Sequence, residues 1–435
     1  MKEPYTPKKL MKKSMGWLHL WLGLISGIVV LISMLGATVF VWEEELTAWY
    51  YGDIMYTDEV GTAILPTSTL YASVHEAYPD KEFTFVQISR DPHKNYAFRS
   101  FKSAKEKGWT WASGIEHYIT VFVNPYTGEV VGQIDKKKDW ITLSRFLHQY
   151  LLLKRGVGDL IVGIAALIMI ILSLTGLYLW FPKTKKAIRQ RLTIKWKAKF
   201  KRVNWDVHSV GGFYTYLFLI LFATTGLTWT FDWWTDGIYW LMGSQRDELF
   251  QRPEAPQIAD QTQPEAIDIA YSDATQRQPG WTKIYFNVPA KKREKGTISV
   301  GLMYPDVDSW WETKDYFYYH PETGAIHHTL THDEKKLAEK WRHSNYAIHV
   351  GNIYGWPTKV IASICALFFA TLPISGFLIW WGRRKKKKPS VRRKPTARSS
   401  SPPPAKAGER RPLKKASLKP VQKVPLEGKN DTSHT

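Results

Sequence analysis

The sequence predicts a membrane α-helical protein with four transmembrane helices and two extracytoplasmic α+β modules, arranged as a duplicated helix–module–helix unit. Four apolar runs are long enough to cross a bilayer, which takes about 20 residues. Each of these runs has a histidine near one end. The mean hydropathy of −0.29 is low for a chain with four such runs, so much of its mass must lie in water.

The apolar runs and the charges divide the chain into segments. We expect a cytoplasmic N-terminus at 1–16, transmembrane helices at 17–42, 148–181, 206–231 and 346–382, outer modules at 43–147 and 232–345, a basic cytoplasmic loop at 182–205 and a disordered basic tail at 383–435. The tail is rich in Pro, Ser, Lys and Arg and has too little apolar surface to fold. Each module contains strand-like runs and a Pro-x-Thr-Gly turn, at 124–128 and 320–324.

The second half of the chain repeats the first at several points. The repeated points are His148 to Gly176, 28 residues apart, His349 to Gly376, 27 residues apart, and the motifs His19-x-x-x-Gly23 and His208-x-x-x-Gly212. A tryptophan follows four positions after both Gly176 and Gly376. Agreement at this many points predicts an internal duplication.

Basic residues are concentrated in three stretches that flank the apolar runs on one side. Residues 1–13 carry five Lys, residues 183–202 carry ten Lys/Arg and no acid, and residues 383–435 carry eighteen Lys/Arg against three acids. The positive-inside rule assigns all three stretches to the cytoplasm. The net charge of +21 therefore indicates topology, with anionic membrane lipid rather than nucleic acid as the expected partner.

Motifs for covalent haem attachment and for nucleotide cofactors are missing from the sequence. The single cysteine, Cys365, lies inside an apolar run, so there is no intramolecular disulfide and no CxxCH motif. There is also no GxGxxG, P-loop or HExxH motif. Since the loop at 182–205 is too short for a flavin or nicotinamide domain, electrons would have to come from quinol or a separate reductase.

The predicted topology sorts four histidines into two pairs. His19 and His208 lie at the cytoplasmic ends of helices one and three, whereas His148 and His349 lie at the outer ends of helices two and four. Two neutral imidazoles that face each other are axial ligands for a six-coordinate haem iron inside a helical bundle. We therefore predict two b-type haems, one per pair. The first helix spans about 35 Å from His19 to Trp42, so the two sites are expected to be far apart.

Several alternatives stay open for these residues. Interfacial histidines bonded to carbonyls or headgroups are the alternative to ligands, and His343 is a second candidate for the outer ligand, although the repeat favours His349. Lys154, Arg155 or Lys359 would pair with haem propionates at the outer site. A histidine cluster in the second module fits no standard metal motif and is interpreted as solvent-exposed; its members are His320, His327, His328 and His332.

In its histidine and turn motifs the sequence resembles the PepSY-associated transmembrane helix family of bacterial inner-membrane proteins, which have four helices and outer PepSY-type modules. The resemblance covers residues 12–385. It is carried by His208-Ser-Val-Gly-Gly, by the ending Thr175-Gly-Leu-Tyr-Leu-Trp180 and by the two Pro-x-Thr-Gly turns. The resemblance implies a bacterial inner-membrane protein associated with iron uptake, because some members are described as haem-containing reductases of ferric siderophores.

We therefore predict a multi-pass electron carrier, with both termini cytoplasmic, that passes electrons outward and reduces a periplasmic ferric siderophore. The substrate is implied by the resemblance alone. One alternative is a non-enzymatic PepSY-type binding or regulatory protein without a cofactor. Another is a metal permease, but broken helices and acidic midplane residues are lacking. The residues predicted to dock the ferric chelate are Trp109, Trp111, Trp310, Trp311 and His327.

Overall fold

A computed structural model describes residues 7–105, 108–182, 184–246, 253, 255, 262–290, 296–308 and 311–384. Within these residues, four helices are long and apolar enough to cross a membrane: Pro7–Phe40 (α1), Gly158–Trp180 (α6), Phe200–Leu227 and Trp356–Arg384 (α13). The third comprises Phe200–Asp206 (α8) and Gly212–Leu227 (α9), joined by a π-helical turn at Val207–Gly211. Nearly all of the predicted tail at 383–435 lies outside the described residues.

The shorter helices lie between these spans. They are Glu43–Tyr50 (α2), Gly52–Met55 (α3), Thr67–Ala77 (α4), Trp140–Tyr150 (α5), Lys185–Arg191 (α7), Asp232–Leu241 (α10), Pro264–Arg277 (α11) and Leu337–Val350 (α12), with a 3-10 turn at Ala112–Gly114. The spanning helices form a bundle in which α1 packs against α6 and α13, and α6 packs against α9. The bundle core is apolar, and its buried members are Val30, Ala165, Met169, Leu219, Cys365 and Phe369.

His148 and His349 lie on separate helices that precede the spanning helices. Asp139 begins α5 by accepting hydrogen bonds from the next turn, and Leu151 ends it in the left-handed conformation at φ 55°. Gly351, with φ 75°, ends α12 in the same way. The sequence predicted transmembrane segments at 148–181 and 346–382, whereas the described spans begin at Gly158 and Trp356, because a left-handed residue ends the helix before each one.

The two outer segments share one antiparallel sheet. Its strands are Phe85–Ser89 (β1), Tyr96–Ser103 (β2), Ile115–Val123 (β3), Val130–Asp135 (β4), Lys283–Asn287 (β5), Ile298–Asp308 (β6), Trp311–Tyr319 (β7) and Ile326–Leu330 (β8). The strand order is β4-β3-β2-β1-β5-β6-β7-β8, so each segment contributes four strands in mirrored order. β1 pairs with β5, from Phe85 opposite Asn287 to Ser89 opposite Lys283. This pairing joins two strands that would otherwise be exposed edges.

The two faces of the sheet have different partners. On one face, α4 and α11 cover an apolar core that includes Val86, Phe98 and Phe286, all fully buried. The other face lies against the helices that carry the outer histidines. There, Arg145 of α5 donates to the hydroxyl of Tyr118 at 3.4 Å, and Lys314 donates to a carbonyl of α12 at 3.2 Å. The sheet therefore covers the outer end of the bundle.

Three consecutive glutamates at the start of α2 connect the sheet to the bundle. Glu43 pairs with Arg145 of α5 at 3.7 Å, Glu44 with Lys283 of β5 at 3.0 Å and Glu45 with Lys359 of α13 at 2.7 Å. The Lys359 side chain is only 5% exposed, so its charge depends on Glu45 for compensation.

We expect Glu45→Gln to destabilise the folded protein by about 1–3 kcal/mol, because the buried ammonium of Lys359 would lose its counter-charge while Glu45 itself is half-exposed. The measurement is the midpoint of thermal unfolding in detergent. Glu76→Gln, at an exposed acid on α4, is the matched control. The double variant Glu45→Gln/Lys359→Met should recover stability because it removes the unpaired charge. Equal midpoints for Glu45→Gln and Glu76→Gln would contradict this assignment.

Candidate functional site

The structure brings His19 and His208 together near the end of the bundle that holds the basic loop. His19 lies on α1, and His208 lies in the π-helical turn between α8 and α9. Their ring centroids are 6.3 Å apart, with the ring planes at 88°. A π-helical turn within a spanning helix is rare and occurs frequently at functional sites.

His148 and His349 form the second pair, near the sheet. Their ring centroids are 5.9 Å apart, with the ring planes at 38°. The ring of Trp229 packs against His349 at 5.2 Å. Both pairs therefore have the membership that the sequence predicted, and each joins residues from two different helices.

Every one of the four rings is held through Nδ1 by a buried hydroxyl residue on a neighbouring helix. The contacts to a side-chain oxygen are His19 to Thr175 at 3.0 Å, His208 to Ser375 at 2.8 Å, His349 to Thr225 at 2.9 Å and His148 to Ser33 at 2.9 Å. Each hydroxyl residue is less than a tenth exposed. These hydroxyl residues were not predicted from the sequence. The signal was available in the recurring dipeptides Thr175-Gly176, Thr225-Gly226 and Ser375-Gly376.

The direction of these hydrogen bonds sets the tautomer of each ring. The Thr175 hydroxyl donates its proton to the carbonyl of Ile171 at 2.8 Å, so it accepts from His19 Nδ1–H. Thr225 and Ser375 likewise donate within their own helices. His148 Nδ1 also lies 3.0 Å from the backbone carbonyl of Ser33, which can only accept. The hydrogen-bond network therefore assigns the proton of all four rings to Nδ1, which leaves the Nε2 lone pair available for a metal ion.

Glycines make room for three of the rings. A Cβ at Gly176 would lie 3.1 Å from Cε1 of His19, and a Cβ at Gly226 would lie 3.1 Å from Cε1 of His349. At Gly376 the same atom would lie 3.4 Å from His208. The glycines that were predicted to leave room for a macrocycle lie elsewhere. A Cβ at Gly23 would meet only Leu172, at 3.8 Å, and a Cβ at Gly212 would have no neighbour within 4 Å.

The pair distances fit a metal ion held between two imidazoles. Two rings that bind one ion on opposite sides, through metal–nitrogen bonds of about 2.0 Å, have centroids about 6 Å apart because each centroid lies about 1 Å behind its nitrogen. The observed separations are 6.3 and 5.9 Å. Neutral imidazole with a hydrogen-bonded Nδ1 is also the donor that haem iron takes from histidine. The donor atoms and ring separations of both pairs therefore suit bis-histidine ligation of a metal ion.

A cavity of about 280 Å³ adjoins the outer pair. It is lined by both histidines and mainly by apolar side chains of the spanning helices, as expected for a cofactor site. Arg155, one of the three cations predicted to pair with propionates, lines it as well. Lys359, another of the three, instead donates to both carboxylate oxygens of Glu45 at 2.7 Å. Arg155 is therefore the best-placed partner for a carboxylate group in this cavity.

The two pairs are closer than the length of α1 suggested. His19 belongs to the inner pair, and Ser33, on the same helix, forms the hydrogen bond to His148 of the outer pair. The fourteen residue steps from His19 to Ser33 correspond to about 21 Å of helix, instead of the 35 Å expected from His19 to Trp42. The difference arises because His148 packs against α1 two turns before its end. A Cβ at Gly36 would lie 2.9 Å from the His148 backbone nitrogen, so the two helices approach closely.

The other histidines singled out in the sequence lie apart from the pairs. His343 packs against Tyr316 at 5.0 Å, and burial together with the charge of Lys335 lowers its pKa to about 2. His327 contacts the Thr297 hydroxyl at 2.8 Å. Contrary to the interpretation as exposed, His320 and His332 are buried. No group of three His, Cys, Asp or Glu positioned to hold a metal ion occurs among the described residues.

The tryptophans predicted to dock a ligand do not form one surface. Trp109 is 81% exposed, whereas Trp111 is buried in a cluster with Phe146. Trp311 is half-buried at the start of β7, and Trp310 lies outside the described residues.

A family comparison covers most of the chain. The family model described as the PepSY-associated TM region matches residues 16–383, which include most of α1, nearly all of α13, the other two spanning helices and the whole sheet. No curated protein matches this sequence. The match confirms the resemblance inferred from the histidine and turn motifs. With four apolar helices in one bundle and the family match extending over them, the chain is a multi-pass membrane protein that belongs to the PepSY-associated TM region family.

Proposed function

We propose that this protein is a dihaem b-type electron-transfer protein of the bacterial inner membrane that reduces a ferric siderophore on the periplasmic side. The observation that carries the proposal is the pairing of four histidines at two levels, each bonded through Nδ1 to a buried hydroxyl, with centroids 6.3 and 5.9 Å apart. When bound, haem supplies one-electron transfer at its iron.

The protein residues would bind, orient and shield the two cofactors. Nε2 of each histidine would ligate the iron, and the hydroxyl bonded to Nδ1 would fix the ring orientation and make the nitrogen a better donor. The apolar core between the two levels, which includes Leu219, Met169 and Phe369, would exclude water from the path. Arg155 would bind a propionate at the outer level.

The charge distribution supports outward transfer. The loop at 182–205 belongs to the basic end of the bundle, whereas the sheet covers the opposite end. By the positive-inside rule, both termini and the loop would face the cytoplasm and the sheet the periplasm. The donor would then be quinol or a separate reductase.

The substrate follows from the family resemblance and from metal chemistry. Siderophores hold Fe³⁺ with hard oxygen donors, and Fe²⁺ binds such donors more weakly. Reduction at the outer surface would therefore release iron without transport of the intact chelate.

We expect the purified protein to be red, with two haems per chain that acid-acetone extracts, because there is no CxxCH for covalent attachment. His208→Ala should remove one haem equivalent, and His349→Ala should remove the other. The pyridine haemochrome assay measures the haem content, and His328→Ala, on β8, is the control. A colourless protein from haem-replete cells would contradict the proposal and favour a cofactor-free binding protein.

Gly226→Ala should disturb the outer site selectively, because the new methyl group would lie 3.1 Å from the His349 ring. We expect a loss of outer haem, or a shift in its reduction potential, while the inner haem stays unchanged. Redox titration by visible spectroscopy separates the two. Gly382→Ala on α13, where a Cβ would meet nothing within 4 Å, is the matched control. Indistinguishable titrations for the two variants would mean that Gly226 does not position His349.

Dithionite-reduced protein should be reoxidised by a ferric hydroxamate or catecholate complex, with release of Fe²⁺ that a ferrous-specific chelator traps. Because His349 belongs to the outer pair, His349→Ala should slow this reaction far more than it slows reduction of the inner haem. Stopped-flow absorbance follows both steps. If ferric complexes leave the reduced spectrum unchanged while a quinone reoxidises it rapidly, the ferric substrate is wrong.

A further inference from the structure

The centre of the sheet presents a cationic and aromatic cluster toward the bundle. It consists of Phe85 on β1, Arg99 on β2 and Tyr285 on β5. Phe85 pairs with Arg99 across the strands, and Tyr285 lies diagonally opposite Phe85, so all three side chains project from the same face. Alternate residues on these strands, such as Val86 and Phe286, face the apolar core on the other side.

The three side chains form a stack. The guanidinium carbon of Arg99 lies 3.7 Å from the ring centroid of Phe85, and the Phe85 and Tyr285 rings are stacked at 5.8 Å with an interplanar angle of 28°. All three are half-buried, which leaves part of the stack open to a ligand. A guanidinium can stack on an aromatic face and at the same time offer its N–H donors to an anion.

The charge of Arg99 is not balanced by an acid within the described part of the chain. The neighbouring cations Arg145 and Lys283 pair with Glu43 and Glu44, whereas Arg99 makes no ion pair there. The charge of Arg99 also acts on the phenol of Tyr118. Burial raises the pKa of that phenol, but the positive charges of Arg145 and Arg99 outweigh burial, so the pKa is lowered. Glu44 and Glu312 act on the phenol of Tyr285, so Arg99 is the group of this cluster with which an anion can pair.

Tyr346 lies on α12, the helix that packs against β7 of the sheet and carries His349. It lies one helical turn before His349 on α12 and lines the cavity of the outer pair, yet its side chain is 49% exposed. Its ring packs against Phe40 at 6.4 Å. Burial by the surrounding protein raises the pKa of its phenol, and the negative charges of Glu43 and Glu44 act in the same direction, against the charge of Arg145. Tyr346 therefore lies beside the cavity of the outer pair and close to the ion pair of Glu43 with Arg145.

We propose that Arg99, Phe85 and Tyr285 form the docking surface for the ferric substrate, and that this surface selects anionic chelates with aromatic ligand rings over neutral hydroxamate chelates. The inference rests on the proposed function and specifies its substrate class. A haem held by His148 and His349 would supply the single electron that reduces Fe³⁺ of the chelate to Fe²⁺, and no covalent bond to the protein would form or break. Quinol or a separate reductase on the basic side would supply that electron to the protein.

The test compares reoxidation of dithionite-reduced full-length protein by a ferric tris-catecholate and by a neutral ferric trihydroxamate, followed by stopped-flow absorbance. Arg99→Gln should lower the second-order rate constant with the catecholate about tenfold and change that with the hydroxamate far less. Arg99→Lys should recover part of the loss because it keeps the charge without the planar stack. Tyr285→Leu should lower the catecholate rate severalfold.

Arg90→Gln is the matched control, since Arg90 follows β1 and lies over the Trp281 ring at 5.7 Å, away from the cluster. Haem content and reduced spectra of all variants must equal those of the parent protein. If the parent is reoxidised by catecholate but Arg99→Gln behaves like Arg90→Gln, the docking surface is wrong and the proposed function stands. If Arg99→Gln slows both chelates equally or loses haem, Arg99 has a packing role and the docking surface is again wrong. If neither chelate reoxidises the parent, the proposed function itself fails.

Discussion

The hydrogen bond from an imidazole Nδ1 to a buried oxygen on a neighbouring helix is the interaction on which the proposed chemistry depends. It occurs at all four paired histidines, with contacts to a hydroxyl between 2.8 and 3.0 Å. It orients each ring, selects the tautomer and leaves Nε2 for a ligand. It also links helices, because the hydroxyl and the histidine never belong to the same one. A change at one hydroxyl would therefore affect both helix packing and metal ligation.

The fourth histidine shows how the pattern adapts to a local difference. Three rings use a Thr or Ser directly before the glycine that makes room for the ring. At the equivalent place on α1 the residue before Gly36 is leucine, and His148 instead uses both the hydroxyl and the carbonyl of Ser33. Gly36 then allows the backbone of α5 itself to approach α1. Nδ1 of His148 is therefore still hydrogen-bonded, although the residue that holds it lies three positions before Gly36 instead of directly before it.

The sheet and the bundle are coupled at the outer level. The β1–β5 pairing makes one continuous surface from two segments, and α5 and α12, which end in the outer histidines, pack beneath it. Glu43, Glu44 and Glu45 connect that surface to the bundle through three cations. A molecule bound at the centre of the sheet would therefore lie above the outer cavity. This arrangement places the sheet, which is inserted between membrane helices in the sequence, directly against the helices that carry His148 and His349.

The sequence alone determined the number of spanning helices, their histidines and the membership of the two pairs. It could do so because apolar length reports a membrane span, and positive charge reports its direction. Only the tertiary structure decided how each ring is held and how far apart the pairs lie. Ser33 and His148 are 115 residues apart, and their contact depends on the left-handed turn at Leu151 and on the close approach at Gly36. The shared sheet could not be predicted either, because the backbone pairing between β1 and β5 leaves no side-chain pattern in the sequence that identifies the partner strand.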